Sequence, residues 1–198
     1  VALARRGYSV EGIDQAPHYI VRARRRADES RVNAEFLAAD AFQVAATMPC
    51  RLVFNWWSSF GYASTDRQNL QMLLRAYESL EPDGLFVLDT MNAAQVLRNF
   101  ETHRTTTRST QQGNITIEAA STIDLAGGTI HKTWRIHRSN QSMEEVRSTV
   151  RLYAAHDLKR LCEEAGFIDI RFFGATDGRP LDLDAPRCIV SARRHSCS

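Results

Sequence analysis

The stretch "LARRGYSVEGIDQAP", Leu3 to Pro17, decides how this chain is read. It has the tail of a helix, a turn at Gly7, and a short β-type run that closes on an acid, Asp14. The next fourteen residues, "APHYIVRARRRADE" (16–29), read as a helix. A helix end, a strand and a helix in that order belong to an alternating α/β pattern already under way at the first residue.

The alternation continues to about Asn92. "AEFLAADAF" (34–42) reads as a strand running into a loop, and "CRLVFNWW" (50–57) as a strongly apolar strand. "TDRQNLQMLLRAYESL" (65–80) reads as a helix with Thr65 or Asp66 as cap, its Leu70, Leu73, Leu74 and Tyr77 at helical spacing. "EPDG" (81–84) is a turn signal, and "LFVLDTMN" (85–92) another strand. This alternation predicts a mostly parallel sheet with helices on both faces. From 102 to 152 the pattern changes to antiparallel strands. "NITIEAASTIDL" and "TIHKTWRIHRS" flank "AGG", a hairpin around Gly127 and Gly128. "AAHDLKRLCEEAGF" (154–167) reads as a helix stopped by Gly166. "IDIRFFG" (168–174) and "PRCIVSARR" (186–194) read as two last strands, and the tail "HSCS" as frayed. The expected division is a core of 1–101 and 152–194 around an antiparallel β insertion at 102–151.

Composition narrows the function classes. With 198 residues, 43% hydrophobic and 24% charged, the chain has the make-up of one soluble globular domain. A net charge of +2 supplies no broad cationic face for nucleic acid, and "RARRR" (22–26) spreads around a helix. No apolar run reaches the ~18 residues of a membrane span, and "VALARRG" lacks a signal-peptide layout. Cys50, Cys162, Cys188 and Cys197 form no CxxC pair, so reduced thiols in a cytoplasmic protein are expected. His103, His131, His137 and His156 show no metal-ligand spacing, and no metal is expected.

The order of these elements resembles the class I S-adenosylmethionine-dependent methyltransferases of small-molecule type. "VEGID" resembles the family's second strand with its terminal acid, and "FLAADAF" its third-strand motif. "LVFNWWSSFGY" resembles the fourth strand and the loop beside the methyl donor, and "LEPDGLFVLDTMN" the turn and fifth strand. "DLKRLCEEAGF" with two strands after it resembles the family's C-terminal ending. One departure is large. No two glycines stand as G-x-G, so the family's first strand and glycine-rich loop are missing, and the resemblance places them upstream of Val1.

The resemblance implies a Rossmann-like α/β fold, S-adenosyl-L-methionine as cofactor and methylation of an N or O atom of a small molecule. Ligands of open α/β sheets lie beyond the carboxyl ends of the strands, where the candidates cluster. Asp14, with Gln15 beside it, is placed to accept from ribose hydroxyls. Asp40 is implied at the adenine amino group, with Ala41 and Phe42 bordering the ring. Asn55 and Trp56 leave the fourth strand toward the cofactor. Trp57, Ser59, Phe60, Tyr62 and Asn92 are candidate substrate walls, an aromatic there being able to attract a cation. Tyr62 and His103 are the candidate catalytic groups. The absence of an obvious base favours a neutral amine acceptor over a hydroxyl. The insertion is expected to cover the acceptor pocket or to pair subunits as a homodimer, with Trp134 on its packed face. Each residue also has a plainer reading: Asp14 as a helix-capping acid, Asp40 as a surface turn, the tryptophans as core. Two rival functions stay open, a non-catalytic methyltransferase-like interaction module and another nucleotide-binding α/β enzyme.

Overall fold

A computed structural model of the chain describes residues 1–110, 113–138 and 142–196. Its first elements follow from the opening stretch. A 3₁₀ turn at Ala4–Arg6 ends at Gly7, and strand β1 (Val10–Asp14), helix α1 (Pro17–Ser30) and strand β2 (Ala34–Ala38) follow. Proline opens α1 at no cost, since a first-turn N–H has no partner within the helix. β1 and β2 pair in parallel with Asp14 opposite Ala38, so both strands end at one level.

Strand β3 (Cys50–Asn55), helix α2 (Asp66–Ser79) and strand β4 (Leu80–Thr90) make a second βαβ unit, again parallel. The Thr65 hydroxyl oxygen accepts from the Gln68 N–H at 3.2 Å and so caps α2. The expected turn at 81–84 lies within β4 as a bulge. Cys50 pairs with Leu80, the register resumes at Leu52 with Leu85, and Asp83 takes φ 61° between them. β3 stops at Asn55, two residues short of the expected end, for a reason that belongs to the site. A short helix α3 (Ala93–Arg98) that the sequence reading left out follows β4.

The region after α3 folds as four antiparallel strands in sequence order: β5 (His103–Thr110), β6 (Gly113–Asp124), β7 (Thr129–Arg138) and β8 (Glu144–Arg151). The β6–β7 hairpin turns at Gly127 and Gly128, where Asp124 Oδ1 accepts from the Gly127 N–H at 2.9 Å. Register puts Ile117, Ala119, Trp134, Ile136 and Val146 on one face, and His131, Arg135 and Arg147 on the other. The alternation read in "TIHKTWRIHR" is therefore real, and Trp134 stands half-buried on the apolar side.

Helix α4 (Ala155–Glu164) then leads to strands β9 (Phe167–Phe173) and β10 (Cys188–Arg194). Gly166 takes φ 94° just past the helix, the left-handed stop its position predicts. β10 inserts antiparallel between β4 and β9, giving the order β3-β4-β10-β9. Helices α2 and α4 cover one face of this sheet. Leu73, Leu80, Leu88 and Leu158 are fully buried there, and Phe86 stacks on Phe167 at 4.9 Å between centroids. Each such side chain contributes about 1.5–3 kcal/mol by leaving water.

Among the described residues β1 pairs only with β2, and β3 only with β4. The two ladders are tied by the segment entering β3. The Thr47 hydroxyl donates to Glu11 Oε2 at 2.6 Å, and the Ala46 N–H donates to Ser79 Oγ at 2.8 Å. Leu52 and Phe54 on β3 remain 46% and 47% exposed, although a parallel strand is normally covered on both faces. No helix among the described residues is long and apolar enough to cross a membrane.

Candidate functional site

The carboxyl ends of β1 to β4 carry most of the residues singled out in the sequence. At the end of β1, Asp14 is exposed, and its Oδ1 accepts from the Ala16 N–H at 2.8 Å. That bond shapes the entry into α1 and leaves Oδ2 without a protein partner among the described residues. Gln15 is exposed beside it. The Ala39 N–H donates to the Asp14 carbonyl at 3.1 Å, so the chain leaving β2 is held against the end of β1. Asp40 follows at once. Its Oδ1 accepts from the Phe42 N–H at 3.0 Å and its Oδ2 from Gln43 Nε2 at 3.3 Å. Ala41 and Phe42 sit half-buried in this turn. The turn-forming role leaves room for a ligand at both acids: a carboxylate oxygen has two lone-pair sites, and one backbone bond does not exhaust it.

The exit from β3 is built differently. Asn55 turns to helix α2, where its Nδ2 meets Met72 Sδ at 3.0 Å, and its Oδ1 is buried without a partner among the described residues. Trp56 lines a cavity of about 300 Å³ with Val87, Phe173 and Ile189, on the sheet face opposite α2. Trp57 and Ser58 then take φ 61° and 55°, consecutive left-handed residues of which neither is glycine. This reversal is why β3 ends early. Its cause is Asp89 in β4, only 3% exposed. Asp89 Oδ2 accepts from the Trp57 N–H at 3.0 Å, and the Asp89 carbonyl accepts from the Ser58 N–H at 3.1 Å. Arg187, just before β10, donates from Nε to Asp89 Oδ1 at 2.6 Å and from Nη2 to Ser58 Oγ at 2.8 Å. The ion pair needs both partners, because an uncompensated charge at Asp89 would be costly at this depth.

Past the turn, the Ser59 hydroxyl donates to the Trp56 carbonyl at 3.0 Å. Phe60, expected on a substrate wall, is instead a core residue at 1% exposure, its ring 5.4 Å from that of Tyr153. The apolar environment between α2 and α4 draws it inward. Gly61 takes φ 96°, and a Cβ there would lie 2.8 Å from the Arg151 carbonyl. This close approach lets the Gly61 carbonyl accept from the Arg151 N–H at 2.8 Å, docking the insertion onto the loop. Tyr62 is 54% exposed.

Asn92 is 5% exposed, and its polar atoms are occupied. Nδ2 donates to the carbonyls of Asp182 and Ala185 at 2.8 and 2.9 Å, and Oδ1 accepts from the Ala94 N–H to cap α3. It borders a cavity of about 350 Å³ with Ala154, Leu181, Leu183 and Cys188, but its amide is a structural tie. His103 opens β5 on the exposed insertion sheet with Nδ1 near Thr102 Oγ1, and no contact joins it to Tyr62. Among the described residues no group of three or more His, Cys, Asp or Glu is placed to hold a metal ion. Cys50, Cys162 and Cys188 are free thiols, and Cys197 lies outside the described residues. Burial pushes the Cys162 thiol up to about 12 and that of Cys188 up to about 11, which removes thiolate chemistry from both at neutral pH.

Sequence reasoning missed Asp89 and Arg187. The available signal was one acid inside the apolar run "LFVLDT" and one arginine at the mouth of another, "PRCIV". Two lone opposite charges in apolar strands that pair with each other predict a buried ion pair.

Residues 1–84 match the family described as a methyltransferase domain. No curated protein matches the sequence. The fold is similar to that of the CcbJ methyltransferase from Streptomyces caelestis, with a TM-score of 0.81 at 16% identity, covering 98% of this chain and 78% of that one. An S-adenosylmethionine-dependent methyltransferase from Clostridium acetobutylicum gives 0.77 at 8% identity, covering 95% and 84%. An amino pentose methyltransferase from Micromonospora echinaspora, solved with S-adenosylmethionine bound, gives 0.70 at 15% identity, covering 94% and 74%. Residues 1–84 thus match a methyltransferase domain, and the chain carries the α/β fold of these solved methyltransferases with an antiparallel insertion sheet.

Proposed function

We propose that this chain binds S-adenosyl-L-methionine and directs its methyl group to an amine nitrogen of a small molecule. The observation that carries the reading is the pair of acids at adjoining strand ends, Asp14 and Asp40, inside the segment that matches the methyltransferase domain. The residues present fit the adenosine half of the cofactor. Asp14 keeps an oxygen free for ribose hydroxyls, Asp40 accepts at the adenine amino group, and Phe42 borders the ring. When bound, the cofactor supplies an electrophilic methyl on a sulfonium. The chain's own work is then to orient that ligand, to line the approach with Trp57, and to keep water away from it.

An amine acceptor suits these residues better than a hydroxyl. A neutral amine brings its own lone pair, whereas a hydroxyl needs a base within hydrogen-bond reach. Tyr62 and His103, the two candidates for that role, stand on separate elements, one in the loop after β3 and one at the start of the exposed strand β5. A fold neighbour that acts on an amino pentose is consistent with this choice. Under this reading the insertion sheet covers the acceptor side of the site, and 102–151 is a unit set into the core of 1–101 and 152–194.

A second reading is favoured by one observation, the single-sided ladders of β1 and β3. Edges left unpaired among the described residues would suit a partner-binding module instead of a catalyst. Calorimetric titration of the chain with S-adenosylmethionine and S-adenosylhomocysteine separates the two. Micromolar binding supports the enzyme reading. No binding by this chain, nor by one extended with a first strand and glycine loop, overturns it.

A further inference from the structure

We propose that Arg187 is a positioning residue for ligand binding. Through Asp89 it holds the Trp57–Ser58 turn left-handed, so that the Trp57 indole is presented to the positive sulfonium of the methyl donor. This inference rests on the methyltransferase reading and assigns it a device that no sequence motif announced.

The turn is the observation that needs an explanation. Two successive non-glycine residues with positive φ are disfavoured, and strain of this kind persists only where its surroundings over-determine it. Here they do. Both strained N–H groups, those of Trp57 and Ser58, are accepted by the one residue Asp89. Arg187 closes the circuit by bonding Asp89 Oδ1 and Ser58 Oγ together. The circuit spans 98 residues of sequence between Asp89 and Arg187, so it is a tertiary construction and not a local turn preference.

What the circuit displays is also unusual. Trp57 is 82% exposed, the most exposed of the large apolar side chains, while its backbone is the best tethered part of the loop. A rigid backbone under an unpacked indole stabilises nothing in the core. It does anchor the base of an electron-rich side chain beyond the carboxyl ends of β3 and β4, where an α/β sheet binds its ligand. An aromatic face attracts a desolvated cation more strongly than a neutral thioether. The donor is a cationic sulfonium, and its product S-adenosylhomocysteine is the neutral thioether. The turn should therefore favour the donor over the product.

The test compares the dissociation constants of S-adenosylmethionine and S-adenosylhomocysteine for the unaltered chain, Trp57→Leu, Arg187→Gln and Arg187→Gln with Ser58→Gly. Amide hydrogen exchange at Trp57 and Ser58 is measured in each without ligand. Both single variants should weaken the donor about fivefold more than the product. Exchange at the two amides should accelerate about tenfold in Arg187→Gln. Glycine at 58, which takes the left-handed conformation freely, should restore part of the donor preference. An unchanged donor-to-product ratio in either single variant overturns the inference while leaving the methyltransferase reading intact. So does unchanged amide exchange in Arg187→Gln. Failure of both the unaltered chain and the chain extended with a first strand and glycine loop to bind either compound sinks the methyltransferase reading, and the inference with it. Trp57→Leu alters an exposed side chain, so it remains decisive if the Arg187 variants do not fold.

Discussion

The Tyr153 hydroxyl donates to Asp66 Oδ1 at 2.9 Å and so fastens the segment leaving β8 to the first turn of α2. Asn69 donates to the same hydroxyl at 3.0 Å, and Arg151 reaches the same carboxylate oxygen at 2.9 Å. The insertion sheet is therefore fixed to the core at two places, here and at Gly61. Removing the hydroxyl with Tyr153→Phe leaves the other partners satisfied, since Asn69 also donates to the Ala63 and Thr65 carbonyls. The cost should be one buried hydrogen bond, about 1 kcal/mol, or roughly 2–4 °C in melting temperature by calorimetry.

The same tyrosine sets an alkaline limit. Burial first, and the Asp66 carboxylate second, raise it from its ordinary 10 to about 12. A pKa raised on folding adds stability that is whole below the unfolded value and is lost as pH climbs through the folded one. Denaturant midpoints should thus fall between pH 10 and 12, with the Cys162 thiol, raised from 9 to about 12, starting the decline near pH 9. Tyr153→Phe combined with Cys162→Ala should make the decline shallower, leaving the share of Cys188, raised from 9 to about 11, although both start from lower stability at pH 7.

Gly61 tests the second fastening. A Cβ there meets the Arg151 carbonyl at 2.8 Å, and φ 96° is strained for any other residue. Gly61→Ala should cost about 1–3 kcal/mol and speed amide exchange at Arg151, whose N–H loses its acceptor geometry. An alanine variant with unchanged exchange at Arg151 would show that the insertion is held without the loop.

Much of this architecture was legible because it is local. The β1-α1-β2 order, the Thr65 cap, the Gly127–Gly128 hairpin and the stop at Gly166 each follow from a few adjacent residues. The misses share the opposite character. Helix α3 is only six residues long and rests on Asn92, whose amide reaches loop carbonyls 90 and 93 residues away. Phe60 looked like a loop residue because its neighbours are polar, yet the space between α2 and α4 takes it in. Asp89 and Arg187 find each other only because β4 and β10 pair in a particular register, with Asp89 opposite Ile189. Asn92 read as a pocket residue and does border a cavity, but its amide is taken up as a tie. Replacing it by alanine should strand two carbonyls, that of Ala185 buried, and uncap α3, costing about 2–4 kcal/mol.

Asp14 gives the sharpest separation between holding the fold and holding a ligand. Its Oδ1 already works within the protein, accepting from the Ala16 N–H, and only Oδ2 is left for ribose. Asp14→Asn keeps an oxygen for that backbone bond and removes the charge and one acceptor. Stability should stay within about 0.5 kcal/mol, the usual range for an exposed site. Affinity for S-adenosylhomocysteine should fall about tenfold, the ~1.4 kcal/mol expected when a charge-assisted bond becomes a neutral one. Asp14→Ala loses both functions and should fall in melting temperature as well as affinity. If the asparagine variant binds as tightly as the unaltered chain while the alanine variant is merely less stable, Asp14 is a turn residue and the ribose has another partner. The difference between the two substitutions, not either alone, is what assigns the carboxylate to the cofactor.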